Sequence, residues 1–105
     1  MCAAYVDAAA AAAMSPDDHK RAFLAFVAGM LADMTRYLDS GDVDVARDGV
    51  GFRHHAMYLS DDELAQFVAD LRELVLPRLA LPPDETRTRR LFSTVLVPLR
   101  DAPSA

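Results

Sequence analysis

His54 and His55 are the side chains that most directly suggest metal chemistry. Neighbours on an extended segment point to opposite faces, so the two imidazoles do not share one ion easily. A stable site would also need two or three further ligands. His19 and Cys2 are the remaining soft donors, and both lie far away in sequence. The carboxylates Asp39, Asp42, Asp44 and Asp48 gather in one loop, which raises the question of calcium. A calcium loop alternates its oxygen ligands around a central glycine and closes on a glutamate. Gly41 and Gly49 are out of place for that pattern and the glutamate is missing. A solvated turn is the expectation here, with no metal and no cofactor.

Arg78, Arg87, Arg89 and Arg90 form the one basic cluster, a candidate for phosphate or another anion. Asp84 and Glu85 interrupt it, and no aromatic residue alternates with the arginines as in single-strand binders. Charge that protects a strand edge accounts for Arg87, Arg89 and Arg90 as well. Nucleophile elbows, phosphate loops and dinucleotide fingerprints are all missing. Cys2 stands at the terminus, without a base to hold it as a nucleophile. The sequence therefore predicts no enzyme. The competing expectation is a small stand-alone ligand-binding protein or enzyme with a pocket near Arg53, His55 and Tyr58.

Composition narrows the partners. The 105 residues carry 11 Lys and Arg against 16 Asp and Glu, a net charge of −5. Such a chain repels a phosphate backbone unless its cations share one face. Apolar residues make up 52%, too many for a disordered chain of this modest charge. No apolar run approaches the ~20 residues of a membrane span. The opening residues have no basic stretch of the secretory kind, and one cysteine cannot build a disulfide framework. The expected setting is cytoplasmic.

Four segments must position whatever the chain does. Ser15-Pro16-Asp17-Asp18 reads as a helix start: an N-cap serine, a proline at the first position and acids at the positive end of the dipole. Phe23, Phe26, Val27, Met30, Met34 and Tyr37 then recur at helical spacing, and Leu24, Leu31 and Leu38 make a second stripe at seven-residue intervals. The helix is expected to end near Asp39. Its apolar arc is wider than one small core requires, which predicts a homodimer contact through Phe23, Leu24, Val27, Met30, Leu31, Met34 and Leu38. Residues 51–59 alternate like a strand, and residues 88–99 are rich in β-branched side chains. Between them Ser60 and Glu63 form a capping box, opening a helix whose stripe is Leu64, Phe67, Val68, Leu71, Leu74 and Val75. Pro77 limits that helix, which runs on at most to Leu79. The alanine-rich segment 3–13 is either a helix or an edge strand or frayed arm.

The expected fold is α+β: a long dimerisation helix, a small antiparallel sheet of two or three strands, and the second amphipathic helix packed across it. Residues 1–14 would be an arm or short edge element, 15–100 a single domain, and 101–105 a disordered tail. Two helices separated by a strand are not a helix-turn-helix, so no DNA reader is expected.

Residues 48–64 read Asp-Gly-Val-Gly-Phe-Arg-His-His-Ala-Met-Tyr-Leu-Ser-Asp-Asp-Glu-Leu. This stretch resembles the region that follows the winged helix-turn-helix in bacterial regulators of the arsenical-resistance-repressor (ArsR) type. The matching pieces are 22–38, 52–59, Leu59-Ser60-Asp61-Asp62-Glu63-Leu64, Leu81-Pro82-Pro83 and 91–98. Ten arginines to one lysine fit a GC-rich bacterial coding bias. The resemblance implies a dimerisation and effector-sensing region of a transcriptional regulator, reaching DNA only through a winged helix that this chain lacks. It also implies that Tyr5-Val6-Asp7-Ala8 is chain leaving a wing, with the alanine run extended. The thiolate sensor sites of some family members have no counterpart, since Cys2 stands alone.

Overall fold

The computed structural model describes residues 8–100. Four helices make up its regular structure: α1 at Ala8–Ala13, α2 at Pro16–Leu38, α3 at Val45–Asp48 and α4 at Asp61–Leu79. The chain divides into two units, Met1–Phe52 and Arg53–Ala105.

In the first unit, α2 starts as its sequence dictates. Ser15 is the N-cap, its hydroxyl accepting from the Asp18 N–H at 3.1 Å. The Asp18 carboxylate accepts from the Ser15 N–H at 3.1 Å, so the cap is reciprocal. Two orphan donors of the first turn are thereby satisfied. This second half of the cap was not part of the sequence expectation, because an aspartate stands where glutamate or glutamine is usual. Arg21 adds an ion pair to Asp18, and Arg36 pairs with Asp33 at 2.7 Å near the other end. At 1.5 Å per residue α2 is ~34 Å long. It stops at Asp39, whose N–H returns to the Thr35 carbonyl at 2.9 Å. The alanine run is helical over Ala8–Ala13, so the extended conformation implied by the family resemblance does not hold there. Tyr5, Val6 and Asp7 lie outside the described residues, as does the tail from Asp101.

In the second unit, Ser60 caps α4. Its hydroxyl accepts from the Glu63 N–H at 3.1 Å, and Glu63 returns the bond to the Ser60 N–H at 2.9 Å. The helix continues through Pro77 to Leu79. Proline has no N–H to give to the carbonyl four residues back, and its ring crowds that turn. One turn of backbone beyond Pro77 still closes, and the Arg78 guanidinium donates to the Leu74 carbonyl at 2.8 Å.

The expected sheet is not there. Among the described residues there is no strand, neither at 51–59 nor at 88–99, and the regular structure is all α rather than α+β. The long helix and the capped second helix stand; the antiparallel sheet on which α4 was to pack does not. The reason is physical. A helix closes its hydrogen bonds within itself, so caps and periodicity suffice to define it. A strand exists only through a neighbour's ladder, and alternation names a face to bury without supplying the partner. Phe52 and Tyr58, six residues apart and so on one face of any strand over 51–59, are 86% and 104% exposed.

No described residue is fully buried. The best-covered positions of the first unit are half-buried: Ala11, Met14, Asp18, Ala22, Phe26, Val27, Met34, Tyr37, Asp48 and Val50. In the second unit they are Leu71, Val75 and Ser93.

Candidate functional site

The half-buried positions of α2 share a side. Asp18, Ala22 and Phe26 follow one another at intervals of four, and Met34 and Tyr37 continue the arc. Phe23 and Phe26 stack with ring centroids 6.3 Å apart. The adjoining side carries Leu24, Leu31 and Leu38, which are 66%, 62% and 51% exposed. Phe23 and Met30 flank them and are exposed too. Seven-residue spacing on a helix of 3.6 residues per turn drifts by only ~20° per repeat, so the three leucines form one nearly straight ridge. Of the seven side chains expected at a dimer contact, Val27 and Met34 are half-buried and the other five are open.

The C-terminal end of α2 is fixed by a polar knot. The Tyr37 hydroxyl donates to the Asp48 carboxylate at 2.7 Å and accepts from the Asp44 N–H at 3.1 Å. Asp44 caps α3 by accepting from the Arg47 N–H at 3.1 Å. Arg47 grips Asp48 through Nε at 3.0 Å and reaches Asp42 at 3.3 Å. Gly49 closes α3 with φ of 69°, a left-handed turn that costs a side-chain-bearing residue strain. The Arg47 guanidinium, then the Tyr37 hydroxyl, hold the Asp48 carboxyl down to about 2. Hydrogen bonding to Asp48 in turn raises the Tyr37 phenol above its usual value, the neutral donor being the favoured form. The acidic loop is thus a self-satisfied turn rather than an open ring of ligands. The sequence expected a solvated turn around Asp39, Asp42, Asp44 and Asp48, and the short helix α3 inside it was not anticipated. Its signals, an aspartate N-cap and a glycine just past the end, are readable at Asp44 and Gly49.

Arg53, His55 and Tyr58 stand exposed and make no hydrogen bond, ion pair or ring contact among the described residues. His54 is exposed as well. No group of three or more His, Cys, Asp or Glu is gathered as a metal set among the described residues. In the arginine cluster, Arg87 turns back onto its own loop, pairing with Asp84 at 3.1 Å and donating to the Pro82 carbonyl at 2.7 Å. A shallow depression over Ala69, Arg72, Glu73, Leu76 and Pro77 lies along α4 alone and gathers no convergent polar groups. No described helix is long and apolar enough to cross a membrane.

Comparison with family models, with curated proteins and with solved structures finds no match.

Proposed function

We propose that this chain is a non-enzymatic self-association module, the dimerisation and effector-sensing region of a bacterial transcriptional regulator whose DNA reader lies outside it. The observation that carries the self-association is the open ridge of Leu24, Leu31 and Leu38 on α2. Contiguous exposed apolar side chains of this size mark an interface. The regulator setting is supported by the resemblance of residues 22–38 and of Leu59-Ser60-Asp61-Asp62-Glu63-Leu64, which fall on the long helix α2 and at the capped start of α4. DNA binding belongs to no residue of this chain, whose net charge is −5.

Light scattering of the full chain at tens of micromolar is the test, a concentration that populates dimers of ordinary affinity. The expected mass is that of two copies. Leu24→Glu with Leu31→Glu should give a single-copy mass while circular dichroism keeps the helical signal, because both positions are exposed. A wild-type chain that scatters as one copy removes the proposal. An in-frame winged helix encoded immediately upstream is the check on the regulator setting.

A further inference from the structure

The ridge on α2 belongs to a longer pattern. Lys20, Leu24, Val27, Leu31, Met34 and Leu38 follow one another at steps of four, three, four, three and four, the spacing of a coiled-coil seam. Five of the six are apolar; the first is a cation. Asp17 stands one step before it, where the seam would continue. The Lys20 ammonium makes no hydrogen bond or ion pair among the described residues, whereas Arg21 and Arg36 each hold an aspartate. At the other end of α2 Arg36 is held by Asp33, and the chain just past the helix is acidic. Asp39 caps the helix, Asp42 and Asp44 follow in the turn, and the last carbonyls carry the negative end of the helix dipole.

On this basis, and resting on the self-association proposed above, we infer that α2 pairs with α2 of a second copy in antiparallel sense, with Leu31 at the two-fold axis. In that register Leu24 meets the second copy's Leu38, and Val27 meets the second copy's Met34. Lys20 passes beyond Leu38 of the second copy to the end of its helix, where Asp39 and the negative end of the dipole supply the opposite charge. The parallel alternative sets Lys20 against Lys20 across the same seam. Like charges facing each other across an interface select against that arrangement. Antiparallel pairing also opposes the two helix dipoles. The area suffices. Phe23, Leu24, Met30, Leu31 and Leu38 are 39–66% exposed. With large side chains these leave on the order of 500 Å² open per copy, and roughly 1,000 Å² hidden in the pair meets the lower bound for a specific contact.

Cysteine cross-linking reads the orientation directly. The full chain carries Cys2→Ser as background, and then Leu24→Cys, Leu31→Cys or Leu38→Cys singly. Under mild oxidation Leu31→Cys should form a disulfide with itself at least about tenfold faster than either of the others alone, since only paired Cβ atoms at close range can bridge. Mixing the Leu24→Cys and Leu38→Cys chains should restore the fast reaction. If all three cross-link with themselves at similar rates, the copies are parallel and the inference falls while self-association stands. A dimer in which no combination cross-links uses another face, which also overturns it. A chain that scatters as one copy and cross-links nowhere removes the self-association as well.

Discussion

The Tyr37 hydroxyl lies 2.7 Å from the Asp48 carboxylate, eleven residues further along the chain, and donates to it. The same oxygen accepts from the Asp44 N–H, so one phenol ties the end of α2 to both ends of α3. Backbone bonds alone do not make this closure: the turn from Ser40 to Asp44 runs between two helices with no ladder to hold it. Position 37 therefore serves the turn rather than the apolar face to which its spacing assigned it.

Tyr37→Phe keeps the ring and removes both bonds. Asp48 then loses a hydrogen bond to its charged form, and its pKa should rise from about 2 toward the ordinary 3.8 while remaining below it, because Arg47 still holds it. A carbon-detected NMR titration of Asp48 measures this. An unchanged titration in the variant would mean that the phenol does not hold the carboxylate in solution.

The pH dependence of the knot follows from the same shift. Asp48 is depressed in the folded turn, so its contribution is present above the ordinary value of 3.8 and is lost as pH falls through about 2. The Tyr37 phenol is raised, so its contribution holds below the ordinary 10.0 and is lost as pH rises through the higher folded value. Chemical shifts of Asp44 and Gly49 should therefore stay constant from pH 4.5 to 9 (about one unit inside both ordinary values) and move together only outside that window. Drift of these signals near neutral pH would contradict the assignment.

Gly29 sits in the middle of α2, and a Cβ built there meets nothing within 4 Å. Glycine in a helix interior is about 1 kcal/mol less favourable than alanine. Gly29→Ala should raise stability by about that amount in thermal unfolding followed by circular dichroism. If the variant is destabilised instead, a neighbour approaches this side of α2 in solution. Leu31 lies on the opposite side, so that result would also count against the antiparallel pairing through it.

The helices were legible in the sequence and the sheet was not, for reasons these residues make concrete. Ser15 and Ser60 announce their helices because a cap is a bond between residues three apart. Pro77 gave a softer signal, since a proline weakens a helix by a fixed amount that the surrounding turns can outweigh. Residues 51–59 and 88–99 have strand-like composition, but composition measures fit to a sheet surface and not the presence of one. The apolar seam on α2 was readable as periodicity. The Tyr37–Asp48 bond was not, because nothing in the spacing of a tyrosine and an aspartate eleven apart distinguishes it from chance.

The segment Leu91-Phe92-Ser93-Thr94-Val95-Leu96-Val97 is the last consequence of the missing ladder. Its seven residues contain no charge, no glycine and no proline, and Leu91, Phe92, Val95, Leu96 and Val97 are all exposed. High β-propensity, low charge and six or seven residues in a row are the requirements for stacking with identical copies. Both sides of the segment are apolar: Leu91, Val95 and Val97 fall on one, Phe92 and Leu96 on the other. Covering one face would therefore still leave the other open. Arg89 and Arg90 precede the run, and Pro98 and Arg100 follow it. Charges at both flanks and a proline at one are the usual brake on such stacking. Val95→Lys places a charge at the centre and should slow the appearance of thioflavin-positive, sedimenting material at raised concentration. Pro98→Ser should hasten it, because an N–H then extends the ladder by one residue. Helical content in the freshly prepared protein should be the same in all three, since the run lies outside α4. If Val95→Lys and wild type aggregate at equal rates, the material forms through another surface, and the α2 seam becomes the next one to mutate.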